Sequence, residues 1–175
     1  MLDFFATVRY RHSVRRYHAD LPIEPEKLHA VLEAACAAPS AGDLQAYRIV
    51  VITSQAGRDA LRQAANDQPF VSEAPVCAVF CADPRRSAER FGDRGAHLYA
   101  LQDATIAAAY AQLAIVAMGL GSTWVGYFDD AKVTQLLKLD AGVIPVALLS
   151  IGYPAELPEP TTRRILNDIV SYRSD

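Results

Sequence analysis

Residues 98–126 read LYALQDATIAAAYAQLAIVAMGLGSTWVG. Leu98 to Met118 is rich in Ala, has no Gly or Pro, and is apolar almost all round. That pattern predicts a long helix buried in the molecule rather than lying on its surface. Gly119 and Gly121 stop it, and Thr123 to Phe128 reads as a strand. The order decides the fold class. In a dinucleotide-binding fingerprint a strand enters the glycines and a helix leaves them. Here the helix comes first, and the third glycine of GxGxxG would fall on Trp124. A Rossmann domain is therefore disfavoured.

Helices and strands extend outward from this centre on both sides. Toward the N-terminus, Glu26 to Ala38 places Leu28, Val31, Leu32, Ala35 and Cys36 on one helical stripe, and Pro39 ends it. Ile49 to Ile52 and Val76 to Cys81 read as strands. Ser54 can cap a helix over Gly57 to Ala65. Asp3 to Arg9 reads as a short helix, and Arg85 to Gly95 as a loop or ragged helix. Toward the C-terminus follow a short helix, Ala131 to Lys138, and a strand, Val146 to Tyr153. Pro154, Pro158 and Pro160 then make an extended linker to Ile165, Leu166, Ile169 and Val170. This arm, residues 155–175, must bury its apolar positions against its own subunit or a neighbour.

Composition narrows the function. The 175 residues suit a single domain, 1–175, and a 51% hydrophobic, 21% charged makeup suits a globular core. A net charge of −3 argues against a nucleic-acid partner. Arginine supplies 14 of the 17 basic residues, and Arg9, Arg11, Arg15 and Arg16 crowd together. Arg is the side chain suited to bidentate grip on phosphate. Cys36, Cys77 and Cys81 form no disulfide framework or metal-ligand spacing, so they read as free buried thiols. The apolar run Thr105 to Leu120 is broken by Gln112 and falls short of the roughly 20 residues of a membrane span. With no signal-peptide core at the N-terminus, a cytoplasmic protein with no membrane partner is expected.

Three segments can carry chemistry. Arg11-His12-Ser13-Val14-Arg15 offers charged donors and a hydroxyl just after a helix, as a phosphate requires. Ala38-Pro39-Ser40-Ala41-Gly42-Asp43-Leu44-Gln45 is a loop of small and polar residues that permits close backbone approach to a ligand. Gly119 to Gly126 is the glycine turn and strand. No Ser-His-Asp arrangement or carboxylate pair is apparent, so a cofactor is expected to carry the chemistry.

In this order the segments resemble the nitroreductase family of flavin enzymes, and the resemblance spans nearly the whole chain. Arg11 to Arg15 resembles the family's Arg-x-Ser-x-Arg/Lys motif, which holds the FMN phosphate and ribityl chain. Residues 38–45 resemble its Ala-Pro-Ser-x-x-Asn-x-Gln loop, which reaches the flavin across a dimer interface. Residues 119–126 resemble the Gly-Leu-Gly turn and strand that pass the flavin ring, and Ile151 to Pro154 with Arg163 resembles the closing Gly-Tyr-Pro and Arg. The resemblance implies an α+β, nitroreductase-like fold: a mixed, largely antiparallel sheet packed by helices around a buried central helix, in an intertwined homodimer that exchanges the arm. It also implies FMN as cofactor, NAD(P)H as transient co-substrate, and ping-pong reduction of a nitroaromatic, quinone or related small-molecule acceptor. The alternatives are a flavin carrier or sensor without turnover, and a dehydrogenase or oxidase for a dedicated metabolite.

The binding residues so implied are Arg11, His12, Ser13, Arg15 and Arg163 toward the phosphate and ribityl chain. Pro39, Ser40, Ala41, Asp43 and Gln45, with Trp124, Val125 and Gly126, are implied toward the ring. Two departures stand out. Asp43 replaces the family's usual Asn, adding negative charge near the flavin unless it serves only its own turn, and Ala46-Tyr47 replaces the common Pro-Trp. Asp67-Gln68-Pro69-Phe70 lacks the Lys that many members place near flavin N1, leaving Gln68 as the donor there. The chain also lacks room for the helical insertion that covers the substrate pocket in larger members.

Overall fold

The computed structural model describes residues 3–174. In chain order it contains α1 (Phe4–Tyr10), α2 (Pro25–Cys36), β1 (Tyr47–Ile52), α3 (Gln55–Ala64), α4 (Phe70–Glu73), β2 (Val76–Ala82), α5 (Pro84–Arg94), α6 (Ala100–Ala117), β3 (Gly121–Val125), α7 (Asp130–Leu137) and β4 (Ile144–Gly152). A 3-10 turn at Ala41–Asp43 and a π-helical turn at Gly95–Tyr99 add to these. The strands form one sheet in the order β1-β2-β4-β3, and every neighbouring pair is antiparallel. The expected parallel component reduces to a single bridge between Ser13 and Ser122.

Helices cover both faces of the sheet. Val76, Ala78 and Phe80 of β2, with Leu149 and Ile151 of β4, pack against Val31 and Ala35 of α2 and Ala107, Ala108, Ala111 and Ile115 of α6. The opposite face, with Cys77, Val79, Cys81 and Leu148, packs against Leu61 of α3, Val71 of α4 and Val133 of α7. β2 is buried along its whole length, which is why it reads as a continuous apolar run rather than an alternating one. Cys36, at the last position of α2, is exposed, unlike Cys77 and Cys81. It lies one residue past Ala35, a step of about 100° around the helix from the packed stripe.

α6 is buried on one side only. Asp103, Ala104, Ala107, Ala108, Ala111, Gln112 and Ile115 are covered, whereas Gln102, Thr105, Ala109 and Tyr110 are exposed. The alanines let α6 approach α2 and the sheet closely, and its outer face stays open within one chain. The stretch expected as a loop or ragged helix is α5, capped by the Asp83 carboxylate accepting from the Arg86 N–H at 3.3 Å with Pro84 in the first turn. Gly92, at φ 55° and ψ −143°, breaks the helix. At Gly95 a Cβ would lie 2.4 Å from the Ser87 carbonyl oxygen, so only glycine allows α5 to pack so closely there. Beyond its start the arm does not pack on its own subunit: Ile165, Leu166, Ile169 and Tyr172 are all at least 63% exposed.

Candidate functional site

The Arg11–Arg15 segment leaves α1 in extended form and is pinned along β3. The Arg11 N–H caps α1 by donating to Thr7 O at 3.1 Å. The Val14 N–H donates to Ser122 O at 3.0 Å, beside the Ser13–Ser122 bridge. The Val14 carbonyl accepts from the Thr123 hydroxyl and, at 2.7 Å, from the buried Tyr17 hydroxyl. Burial pushes the Tyr17 phenol well above its ordinary value. The end of β4 closes the other side. The His18 N–H donates to Tyr153 O at 3.0 Å, the Ala155 N–H to Arg16 O at 2.9 Å, and the Arg15 N–H to Glu156 Oε1 at 2.8 Å.

This pinning leaves Val14 and Tyr17 buried, Arg11, His12 and Ser13 half-buried, and Arg15 exposed. Gly121 makes the close approach possible, since a Cβ there would lie 2.8 Å from the Val14 side chain. Among the described residues, none of Arg9, Arg11, Arg15 and Arg16 forms an ion pair with a carboxylate. Arginines close together in the sequence and without ion pairs among the described residues, on a segment fixed through its backbone, are a donor set that fits a phosphate, and the Glu156 carboxylate lies beside them at the Arg15 N–H. Tyr10, His12, Val14 and Gly121, with Glu156 and Leu157 from the start of the arm, are among the residues lining a cavity of about 270 Å³ beside this segment.

Two further expected groups join this end of the molecule. Arg15 lies 5.9 Å from the Phe70 ring centroid. Gln68 stands close by in sequence, its amide nitrogen donating to Ala65 O at 2.9 Å and Tyr127 O at 3.3 Å. Its donor is thus turned to the chain leaving β3, where Asn66 Nδ2 also holds Tyr127 O at 3.1 Å. Trp124 is half-buried, Val125 buried and Gly126 exposed at that strand end.

The Pro39–Gln45 loop stands elsewhere, at the start of α6. Gly42, Asp43 and Gln45 have φ of 58°, 58° and 45°, which for the two non-glycine residues costs roughly 1–2 kcal/mol each. Local bonds hold them. Ser40 Oγ accepts from the Gln45 N–H at 3.0 Å, and Gln45 Nε2 donates to Asp43 O at 2.9 Å and also to the Asp43 carboxylate. Arg90 donates to Gly42 O at 3.0 Å, and Arg86 donates to Leu44 O. Asp103 accepts from the Ala41 N–H at 2.9 Å and the Ala46 N–H at 3.2 Å. Sequence reasoning missed Asp103, Arg86 and Arg90. The available signal was a lone carboxylate in an otherwise apolar, Ala-rich helix.

The structure therefore gathers Arg11, His12, Ser13, Arg15, Gln68 and the Trp124–Gly126 strand end on one side, and Pro39, Ser40, Ala41, Asp43 and Gln45 on another. Asp103 and Val116, near the two ends of α6, are about 20 Å apart along its axis. Arg163 joins neither group, since its guanidinium donates to Thr161 O at 3.2 Å and Thr162 O at 3.1 Å within the exposed arm.

Comparison with known proteins gives a concordant result. The model of the nitroreductase family matches residues 8–75 and 65–153. An NADH dehydrogenase of Thermus thermophilus is 34% identical over 200 aligned positions, covering 99% of this chain and 97% of that protein. An NADPH-flavin oxidoreductase of Vibrio harveyi is 32% identical, covering 93% of this chain and 70% of that protein. The solved structure of nitroreductase A from Vibrio parahaemolyticus superposes with a TM-score of 0.90 at 28% identity, over 100% of this chain and 77% of that one. The chain belongs to the nitroreductase family.

Proposed function

We propose that this nitroreductase-family chain is an FMN-dependent oxidoreductase that passes two electrons from NAD(P)H to a nitroaromatic, quinone or related conjugated acceptor. The observation that carries the reading is the Arg11–Arg15 segment, whose arginine side chains make no ion pair among the described residues and whose backbone is bonded to β3 and the chain just past β4. The names of its relatives support the same chemistry. Arg11, His12, Ser13 and Arg15 would hold the phosphate and ribityl chain, joined by Arg163 when the arm is docked. Trp124, Val125 and Gly126 would border the ring. Gln68 has its carbonyl oxygen left for it, and otherwise fixes the chain after β3. The chemistry that bound FMN supplies is two-electron transfer in two half-reactions, one with NAD(P)H and one with the acceptor. The protein's part is to bind, orient and exclude water, and no side chain need act as nucleophile.

The functional unit would be residues 1–175 as one FMN-binding domain, paired as a homodimer. Within a single chain the Ser40–Gln45 loop stands at the far end of α6 from the arginine segment. A second copy supplies the missing half of each site. The open outer face of α6, the exposed Phe4, Phe5 and Val8 of α1 and the undocked arm provide apolar surface for that pairing. Free thiols fit a reducing cytoplasm.

The test is direct. The purified protein should be yellow, release FMN on denaturation and oxidise NADPH when given a quinone. FMN should bind far more tightly than riboflavin, and Arg11→Ala or Arg15→Ala should weaken FMN binding about 10- to 100-fold, the loss of one charge-assisted bond. Equal binding of FMN and riboflavin would overturn the phosphate assignment. A yellow protein that never turns over would be a carrier.

A further inference from the structure

We infer that Asp103 is a positioning residue for the cofactor, a buried carboxylate that sets the shape of the Ser40–Ala46 loop from beneath. The inference rests on the flavin reading, because it assigns that loop to the ring. Asp103 is 1% exposed, on the covered side of α6. Among the described residues no cation pairs with it. Its two oxygens accept from the backbone N–H groups of Ala41 and Ala46 at 2.9 and 3.2 Å.

Burying a carboxylate without a cation is costly, and helix packing does not require it. Ala104, Ala107, Ala108 and Ala111 already fill the contact of α6 with its neighbours. What the carboxylate provides, and an apolar residue cannot, is two acceptors at a fixed spacing. They tie together the two ends of a loop whose interior holds Gly42, Asp43 and Gln45 in the left-handed region. Non-glycine residues stay in that region only where the surroundings over-determine them. Asp103 fixes the loop from its ends, Arg86 and Arg90 hold its carbonyls from α5, and Ser40 closes it internally. The side chains of Ser40, Asp43 and Gln45 are thereby oriented before any ligand arrives, which removes an ordering cost from binding.

The experiment compares holoprotein variants. Asp103→Asn keeps the shape but turns one acceptor into a donor that faces an N–H. It should weaken FMN binding about 10-fold or more, alter the visible circular dichroism of the bound flavin, and lower kcat at saturating FMN. Asp103→Glu, which keeps both acceptors, should recover part of each. Ile115→Val, buried on the same helix, should lower Tm while leaving the flavin spectrum unchanged. Wild-type values in Asp103→Asn for affinity, dichroism and kcat would overturn the inference. Amide hydrogen exchange gives a readout independent of the variant's folding. Slow exchange at Ala41 and Ala46 in the wild-type protein is the expected result, and fast exchange at both would overturn the clamp. A wild-type protein that binds no FMN but protects both amides would instead overturn the flavin reading and leave the clamp standing.

Discussion

Asp43 occupies a left-handed backbone position, with its carboxylate accepting from Gln45 Nε2 and its side chain otherwise open to solvent. The carboxylate therefore serves its own turn and still brings a negative charge to the loop. Under the flavin reading that charge disfavours the anionic reduced cofactor, so Asp43→Asn should raise the midpoint potential. For a ring about 8 Å away, the rise runs from ~10 mV with water-like screening to ~45 mV at an effective dielectric of 20. Spectroelectrochemical titration measures it, and an unchanged or lower potential would remove the loop from the ring. Such residues were legible in the sequence because their types are chemically conspicuous: clustered Arg, or Asp among small residues. Asp103 stood out as a lone carboxylate in an apolar helix, but its role was not legible, because its partners are two backbone N–H groups far away in the chain.

At the scale of elements, periodicity carried most of the fold. The stripe Leu28, Val31 and Ala35 gave α2, and Ser54 caps α3 as expected, accepting from the Gly57 N–H at 3.3 Å. The elements least legible were those whose stability comes from elsewhere: residues 85–95 read as a loop or ragged helix, of which the helix, broken at Gly92, is found, and the turn α4 was not foreseen. α5 is polar and held by its Asp83-Pro84 start and its packing at Gly95, and α4 is a single turn held by Phe70 and Val71 in the core. β2 leads to a prediction of its own. Burial raises the Cys77 thiol to about 12 and the Cys81 thiol to about 11. The folded state thus favours the neutral thiols, and their contribution is fully present below the unfolded value near 9 and is lost as pH rises toward the folded values. By pH 10 the loss should be about 1.4 kcal/mol per thiol. Urea unfolding at pH 8 and pH 10 measures it. Cys77→Ala should be less stable at pH 8 but decline less steeply, and an equal decline would show that Cys77 ionises no differently in the two states.

For the whole molecule, the exposed arm and the split site have the same explanation in the proposed pairing. Ile165, Leu166 and Ile169 are 63–66% exposed within one chain, and burying each such side chain on a partner would contribute roughly 1.5–3 kcal/mol at best. Deleting the chain after Pro158 should therefore release FMN and dissociate or aggregate the protein, as followed by sedimentation and absorbance. A truncated protein that remained dimeric and yellow would show that the arm is dispensable. The extended course of the arm was legible from Pro154, Pro158 and Pro160, but the distance between the arginine segment and the Ser40–Gln45 loop was not, because distance is not a property of residue type.

That separation makes α6 a ruler. Its span, at about 1.5 Å and 100° per residue, would fix both how far apart the two proposed half-sites lie and which way each faces. Substitution along its open side would act on the proposed pairing, but inserting or deleting one residue between Asp103 and Ile115 would turn the loop-clamping face about 100° out of phase with the side on which Ile115 packs against α2 and β4. Length and helical phase thus constrain this helix as firmly as the alanines on its packed side.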